Sequence, residues 1–225
     1  MELTLFKFSA NIQSDIFLKD PESSPLGTTI FTEGIDLIDG LGFEDFTFRK
    51  LAKQIGTTEA SIYRYFENKH KFLLYITSWY WCWVDYQMVI RNTNINAPIT
   101  KLKNSIDIIS AASGNQAVSV DLQKIFNVIC NDSSKGYFSK KVDILNQHGV
   151  YFNYKKIVSN ISDIILEINP SYDYSHMLVT TIIEGIHHQI FFAKHLPGLT
   201  DVSEKTNYIT HFYCDMAMSL IHRNR

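Results

Sequence analysis

This chain predicts an all-α fold, on three observations. Breakers are scarce, with 5 prolines and 10 glycines in 225 residues. Apolar residues recur at helical spacing along almost the whole length. No alternating apolar series flanked by hairpin turns appears, so no strand is expected. Hydrophobic residues make up 45% of the chain, enough for a buried core, and the formal net charge is −2. Any case for a polyanionic partner therefore has to be local.

The elements follow in order. The stretch SDIFLKDPESSPLG carries Pro21, Pro25 and Gly27 and no helical stripe, and reads as an N-terminal arm over residues 1–27. Phe6, Phe8, Ile12, Ile16 and Phe17 give that arm apolar side chains to dock. Phe31, Ile35 and Ile38 mark a first helix, closed by DGLGFED. Thr47 is placed to cap a second helix with Phe48, Leu51, Ala52 and Ile55 on its inner face. Gly56 ends it, and Asn68 is placed to cap a long helix carrying Phe72, Ile76, Trp79, Trp83, Tyr86 and Ile90. NTNINAP closes the long helix. Further stripes start at Ile99, Val118 and Val150, with NDSSKG and NQHG read as loops or helix ends and Pro170 and LPG as punctuation.

The span from Thr47 to Phe66 reads as helix, tight turn, helix. Gly56 permits the positive φ of a sharp helix end. The second helix starts near Thr57 or Thr58, places Glu59 in its first turn, and buries Ile62 and Phe66. Its outer face is Thr57, Ala60, Ser61 and Arg64, with small residues that let a partner come close. This is helix-turn-helix geometry, in which the second helix enters the major groove of DNA. Hydroxyls of Thr57, Thr58 and Ser61, the phenols of Tyr63 and Tyr65, and the cations Arg49, Arg64 and Lys69 suit phosphates and base edges. From Phe46 to Lys71 six basic residues face two acidic ones, a local charge of +4.

FTFRKLAKQIGTTEASIYRYFENKHKFLL resembles the signature of the TetR family of bacterial transcriptional regulators. Thr47, Leu51, Ala52, Gly56, Ser61, Ile62, Tyr63, Phe66, Asn68, Lys69 and Leu73 carry the resemblance. It implies a three-helix DNA-binding head over residues 28–74 and a larger helical body over 75–225 that binds a small ligand and dimerises. It implies a phosphate contact from Thr47, groove contacts from residues 57–61 and Arg64, and backbone contacts from Tyr63, Tyr65 and Lys69. The partners it implies are a palindromic double-stranded operator, a small effector and a second copy of the chain. Two departures stand out. Ala60 replaces a common glycine, and residues 1–45 hold nine acids against two lysines, a local −7 that works against duplex binding.

In the body, Trp83, Tyr86, Phe126, Cys130 and Tyr154, joined by His187, are candidates to line an apolar cavity for a flat or hydrophobic effector. Residues 174–195 and 204–222 carry apolar faces suited to the family's dimer interface. His187, His188 and His195 lack partnered carboxylates or thiols at ligand spacing, so no metal is expected, nor any other cofactor. The thiols of Cys82, Cys130 and Cys214 are widely spaced and read as reduced, in a cytoplasmic protein without leader or membrane span. No nucleophile elbow, phosphate loop or zinc-protease motif is present, and nothing orients Asp132, Ser133 and His148 as a triad, so the chain is not expected to be an enzyme. The expectation is a ligand-responsive repressor of the TetR type. The rival is a ligand-binding or protein-interaction dimer of the same fold that has weakened or lost DNA binding.

Overall fold

A computed structural model describes residues 8–111, 120–201 and 207–222. Phe6, Val118 and residues 204–206 of the expected C-terminal dimer segment lie outside them. The described residues form helices and no strand: α1 (Pro25–Leu41), α2 (Phe48–Gln54), α3 (Glu59–Tyr63), α4 (Lys69–Asn92), α5 (Pro98–Ser110), α6 (Leu122–Asp132), α7 (Ser134–Tyr137), α8 (Val142–Gln147), α9 (Phe152–Ile168), α10 (Ser175–His195) and α11 (Tyr208–Ile221). The all-α expectation holds. The chain folds into two compact units, Met1–Trp83 with Gly114–Asn153, and Val84–Ser113 with Tyr154–Arg225.

In the first unit, α1 starts at Pro25, not after Gly27. Ser24 Oγ accepts from Gly27 N at 3.2 Å, and Pro25 takes the first helical position, where its missing N–H costs nothing. The two residues read as breakers open the helix. Gly27 also allows a close approach, since a Cβ there would lie 2.3 Å from Pro21 O. Ahead of α1, the arm packs on the unit. Ile16 is 1% exposed. Phe17 meets the ring of Tyr75 edge-on at 5.9 Å. Phe8 does the same to Trp79 at 5.2 Å and Trp83 at 5.1 Å. The backbone joins in: Leu18 N donates to Tyr65 O at 2.8 Å, and Asn153 Nδ2 donates to Asn11 O at 3.0 Å.

The core beneath α1–α3 is aromatic. Phe72 is fully buried and lies 4.9 Å from Phe66, 5.6 Å from Phe46 and 6.4 Å from Phe48 between ring centroids. α1 packs on α6, fastened by Lys124 to Asp36 at 2.9 Å and by Asn127 Nδ2 to Asp39 at 2.9 Å. NDSSKG, read as a loop or helix end, ends α6 and also supplies one turn of α7. Asp132, at the end of α6, is buried, and Lys135 of α7 meets it at 2.8 Å.

In the second unit α5 packs against α10 and α11. The apolar stripes of α5 and α9 supply buried Leu102, Ile106, Ile109, Ile157, Ile161 and Ile165. Ion pairs run along the surface: Arg91 with Asp107, Lys101 with Glu167 at 3.1 Å, and Lys156 with Asp85 at 2.7 Å. Gly185 of α10 lies against the Tyr213 ring of α11. Pro197–Leu199, which overlaps LPG, forms a single 3-10 turn.

Candidate nucleic-acid interface

Local chemistry builds the helix-turn-helix as its sequence requires. Thr47 Oγ1 accepts from Lys50 N at 3.2 Å and caps α2. α2 buries Phe48, Leu51 and Ala52 and leaves Arg49, Lys50 and Lys53 exposed. Gly56 sits at φ 67 with open space around its Cβ position, so backbone conformation, not room, requires glycine. Thr58 caps α3, its Oγ1 accepting from Ser61 N at 3.2 Å and pairing with Ser61 Oγ at 3.0 Å. Ile62 and Phe66 are fully buried. At the start of α4, Asn68 Oδ1 accepts from Lys71 N at 2.9 Å.

The outer surface then follows. Thr47, Arg49, Thr58, Ala60, Tyr63 and Arg64 are exposed, and Thr57, Glu59 and Ser61 are half-buried. The Tyr63 ring leans edge-on against Phe48 at 5.2 Å, which fixes its direction while it remains 47% exposed. Two candidates are placed otherwise. Tyr65 is 3% exposed, and its hydroxyl lies 2.7 Å from Ser24 Oγ and accepts from Lys19 Nζ at 3.4 Å. It faces the arm, so a phosphate contact from Tyr65 does not fit this arrangement. Lys69 Nζ donates to the carbonyls of Phe43, Glu44 and Phe46 at 3.0, 2.8 and 3.3 Å. Its three donors are all engaged within the fold. Sequence spacing misses both, because their partners lie more than 20 residues away.

The acidic front is also largely occupied. Asp36 pairs with Lys124 and Asp39 accepts from Asn127. Glu33 accepts from Gln54 Nε2 at 2.6 Å, and Glu44 pairs with Lys135 at 3.0 Å. The hydrogen bond from Lys135, first, and its charge hold the Glu44 carboxyl below its ordinary pKa.

The six effector candidates divide between the units. Phe126 and Cys130 lie in the first unit, close to Tyr80, which sequence reading did not single out. Tyr80 lies 6.3 Å from Phe126 and 4.9 Å from Trp81 between centroids. Its buried hydroxyl has no hydrogen-bond partner among the described residues. Burial pushes the Tyr80 phenol well above its ordinary pKa and the Cys130 thiol up to about 12. Trp83 stacks on Trp79 at 6.1 Å and meets the arm. In the second unit, Tyr86 is half-buried, and Tyr154 Oη donates to Glu184 Oε1 at 2.9 Å. His187 is buried within α10. Burial, then the neighbouring His188, push its pKa down to about 4. Among the described residues no group of three acidic, histidine or cysteine side chains could hold a metal ion, and no helix is long and apolar enough to cross a membrane.

Comparison with solved structures finds the same fold at low sequence identity. AibR in complex with isovaleryl coenzyme A and operator DNA matches with a TM-score of 0.59 and 14% identity, covering 84% of this chain and 96% of that one. A putative transcriptional regulator from Saccharomonospora viridis in complex with choline matches at 0.59 and 15% identity, covering 88% and 95%. The superantigen PfiT matches at 0.58 and 13% identity, covering 92% and 100%. No curated protein sequence matches the chain. The family model for bacterial regulatory proteins of the tetR family matches residues 30–76, the segment that folds as α1 to the start of α4. Residues 30–76 thus carry a helix-turn-helix head that matches the tetR family of bacterial regulatory proteins.

Proposed function

We propose that the protein is a ligand-responsive transcriptional regulator that binds a palindromic operator as a homodimer, with repression as the mode the family implies. In this reading residues 28–74 contact DNA, and residues 75–225 serve effector and dimer. The observation that carries it is the outer face of α3 and its neighbours, where Arg49, Ala60, Tyr63 and Arg64 stand exposed beside two capped helix starts. The engagement of Asp36, Asp39, Glu33 and Glu44 inside the fold supports it further, since these acids oppose a duplex less than free carboxylates would.

Effector and dimer follow the same logic. The solitary Tyr80 hydroxyl, neutral and set among aromatic rings, suits a mainly apolar effector that carries one hydrogen-bond acceptor. Met177, 68% exposed, and Phe212, 57% exposed, lie on α10 and α11, the helices proposed to meet a second copy. Effector binding would move α4 and change the spacing of the two α3 helices, a population shift between two dimer forms.

The test is fluorescence anisotropy with labelled duplex from upstream of the protein's own gene, against a scrambled control, at low and moderate salt. Wild type is expected to prefer the upstream duplex, with affinity falling steeply with salt. Arg64→Ala is expected to weaken binding by about tenfold to a hundredfold. Equal, weak binding to both duplexes at low salt would sink the reading. It would favour the rival dimer without DNA binding, which the internal use of Tyr65 and Lys69 supports. Separately, Tyr80→Phe should raise the melting temperature of the effector-free protein, because removing an unsatisfied buried hydroxyl gains about 1 kcal/mol. A lower melting temperature by calorimetry would mean that the hydroxyl already has a structural task.

A further inference from the structure

The corner between α1 and α2 is held in an unusual way. Gly42, at φ 79, ends α1, and Thr47 starts α2. The four residues between carry carbonyls that no helix ladder satisfies. Lysine ammonium groups satisfy them instead. Lys69 Nζ takes the carbonyls of Phe43, Glu44 and Phe46, and Lys50 Nζ takes that of Asp45 at 2.7 Å. The buried Phe43 ring faces that same Lys69 Nζ at 4.8 Å and one further cation, Lys135 Nζ, at 5.8 Å from its centroid. Lys135 also bridges the buried Asp132 at 2.8 Å and the exposed Glu44 at 3.0 Å. The corner is thus gripped from the start of α4 and from α6–α7. α2 leaves this corner directly, and α3 packs on α2.

We propose that Lys69 and Lys135 are positioning residues for DNA reading, which fix α2 and α3 by holding residues 43–46, and that neither lysine touches the duplex. The proposal rests on the DNA-binding reading above, and it reverses the phosphate role that spacing suggests for Lys69. The geometry leaves Lys69 no donor for a phosphate, since its three N–H groups already meet three carbonyls. For Lys135, burial alone would lower the pKa, but its hydrogen bonds to Asp132 and Glu44 and their charges outweigh burial and raise it. It stays charged at neutral pH, as the bridge requires.

A salt series of duplex affinity separates positioning from contact. A lysine that meets a phosphate lowers the slope of log affinity against log salt by about one when it is removed. Lys69→Met and Lys135→Met are each expected to weaken binding to the preferred duplex by about tenfold, the loss of a charge-assisted hydrogen-bond set, with the wild-type slope retained. Lys135→Arg should restore most of the affinity, since guanidinium still bridges two carboxylates. A slope lowered by about one in Lys69→Met, or wild-type affinity in Lys135→Met, would overturn the proposal. A second readout does not depend on DNA. Hydrogen exchange of the amides in α2 and α3 should quicken by about tenfold in Lys135→Met and in Glu44→Gln, with α11 amides unchanged. If wild type binds no duplex, the DNA reading fails on its own, and unchanged α2–α3 protection in these variants would separately overturn the grip on the corner.

Discussion

Phe72→Ala should unfold the first unit at much lower denaturant, at a cost of about 3–5 kcal/mol. Phe72 is fully buried, and rings of Phe46, Phe48 and Phe66 surround it. Neighbours cannot readily refill the space. On the α1 side stands Gly34, so close that a Cβ there would lie 2.4 Å from Phe72 Cζ. Truncation therefore leaves a cavity bounded by a bare backbone and by rings locked against one another. Urea unfolding would check it. A cost below about 1 kcal/mol would mean that the aromatic cluster collapses around the gap and is not the keystone of the head. DNA binding should fall with it, because α2 and α3 pack on that cluster.

Gly185→Ala is the second large effect, now in the other unit. A Cβ at Gly185 would meet Tyr213 Oη at 2.2 Å, Cζ at 2.9 Å and Cε1 at 3.1 Å. Tyr213 is 5% exposed, so its ring has little room to swing. Either α10 and α11 part or the ring leaves its rotamer, with an expected cost of about 1–3 kcal/mol. Adding Tyr213→Phe removes the 2.2 Å contact but not the 2.9 Å one, so the double variant should recover only part of the loss. The measurement is thermal unfolding of the single and double variants, together with light scattering. If Gly185→Ala melts with wild type, α10 and α11 do not need their close approach. If it melts earlier and also loses self-association, the helices proposed for the dimer gain direct support.

Much of the fold was legible because its signals are local. The caps at Thr47, Thr58 and Asn68 each bond a backbone N–H three residues on, and Gly56 supplies a conformation that few other residues tolerate. Helical periodicity found the inner faces of α2, α5 and α9 for the same reason. What sequence could not give is set by partners distant in the chain. Pro25 reads as a breaker until Ser24 is seen capping in front of it. Tyr65 and Lys69 look like ligands for a phosphate on spacing alone, and tertiary neighbours claim both. Lys135 gave no signal, since its worth depends on Asp132, Glu44 and Phe43 meeting around it. Residue type alone points to the effector candidates, and type does not decide which unit a side chain joins.

The arm that lies along α4 has a practical consequence. All 3 tryptophans of the chain, Trp79, Trp81 and Trp83, fall within five residues of that helix, and Phe8 of the arm touches two of them. Intrinsic fluorescence of this protein is therefore a spectator of one place. It reports whether the arm is seated and whether the first unit is folded, and the second unit supplies no indole to it. An emission shift seen on adding a small molecule or DNA would locate the disturbance at mid-α4 without any label. A silent signal alongside a change in circular dichroism would point to the helices that carry no tryptophan.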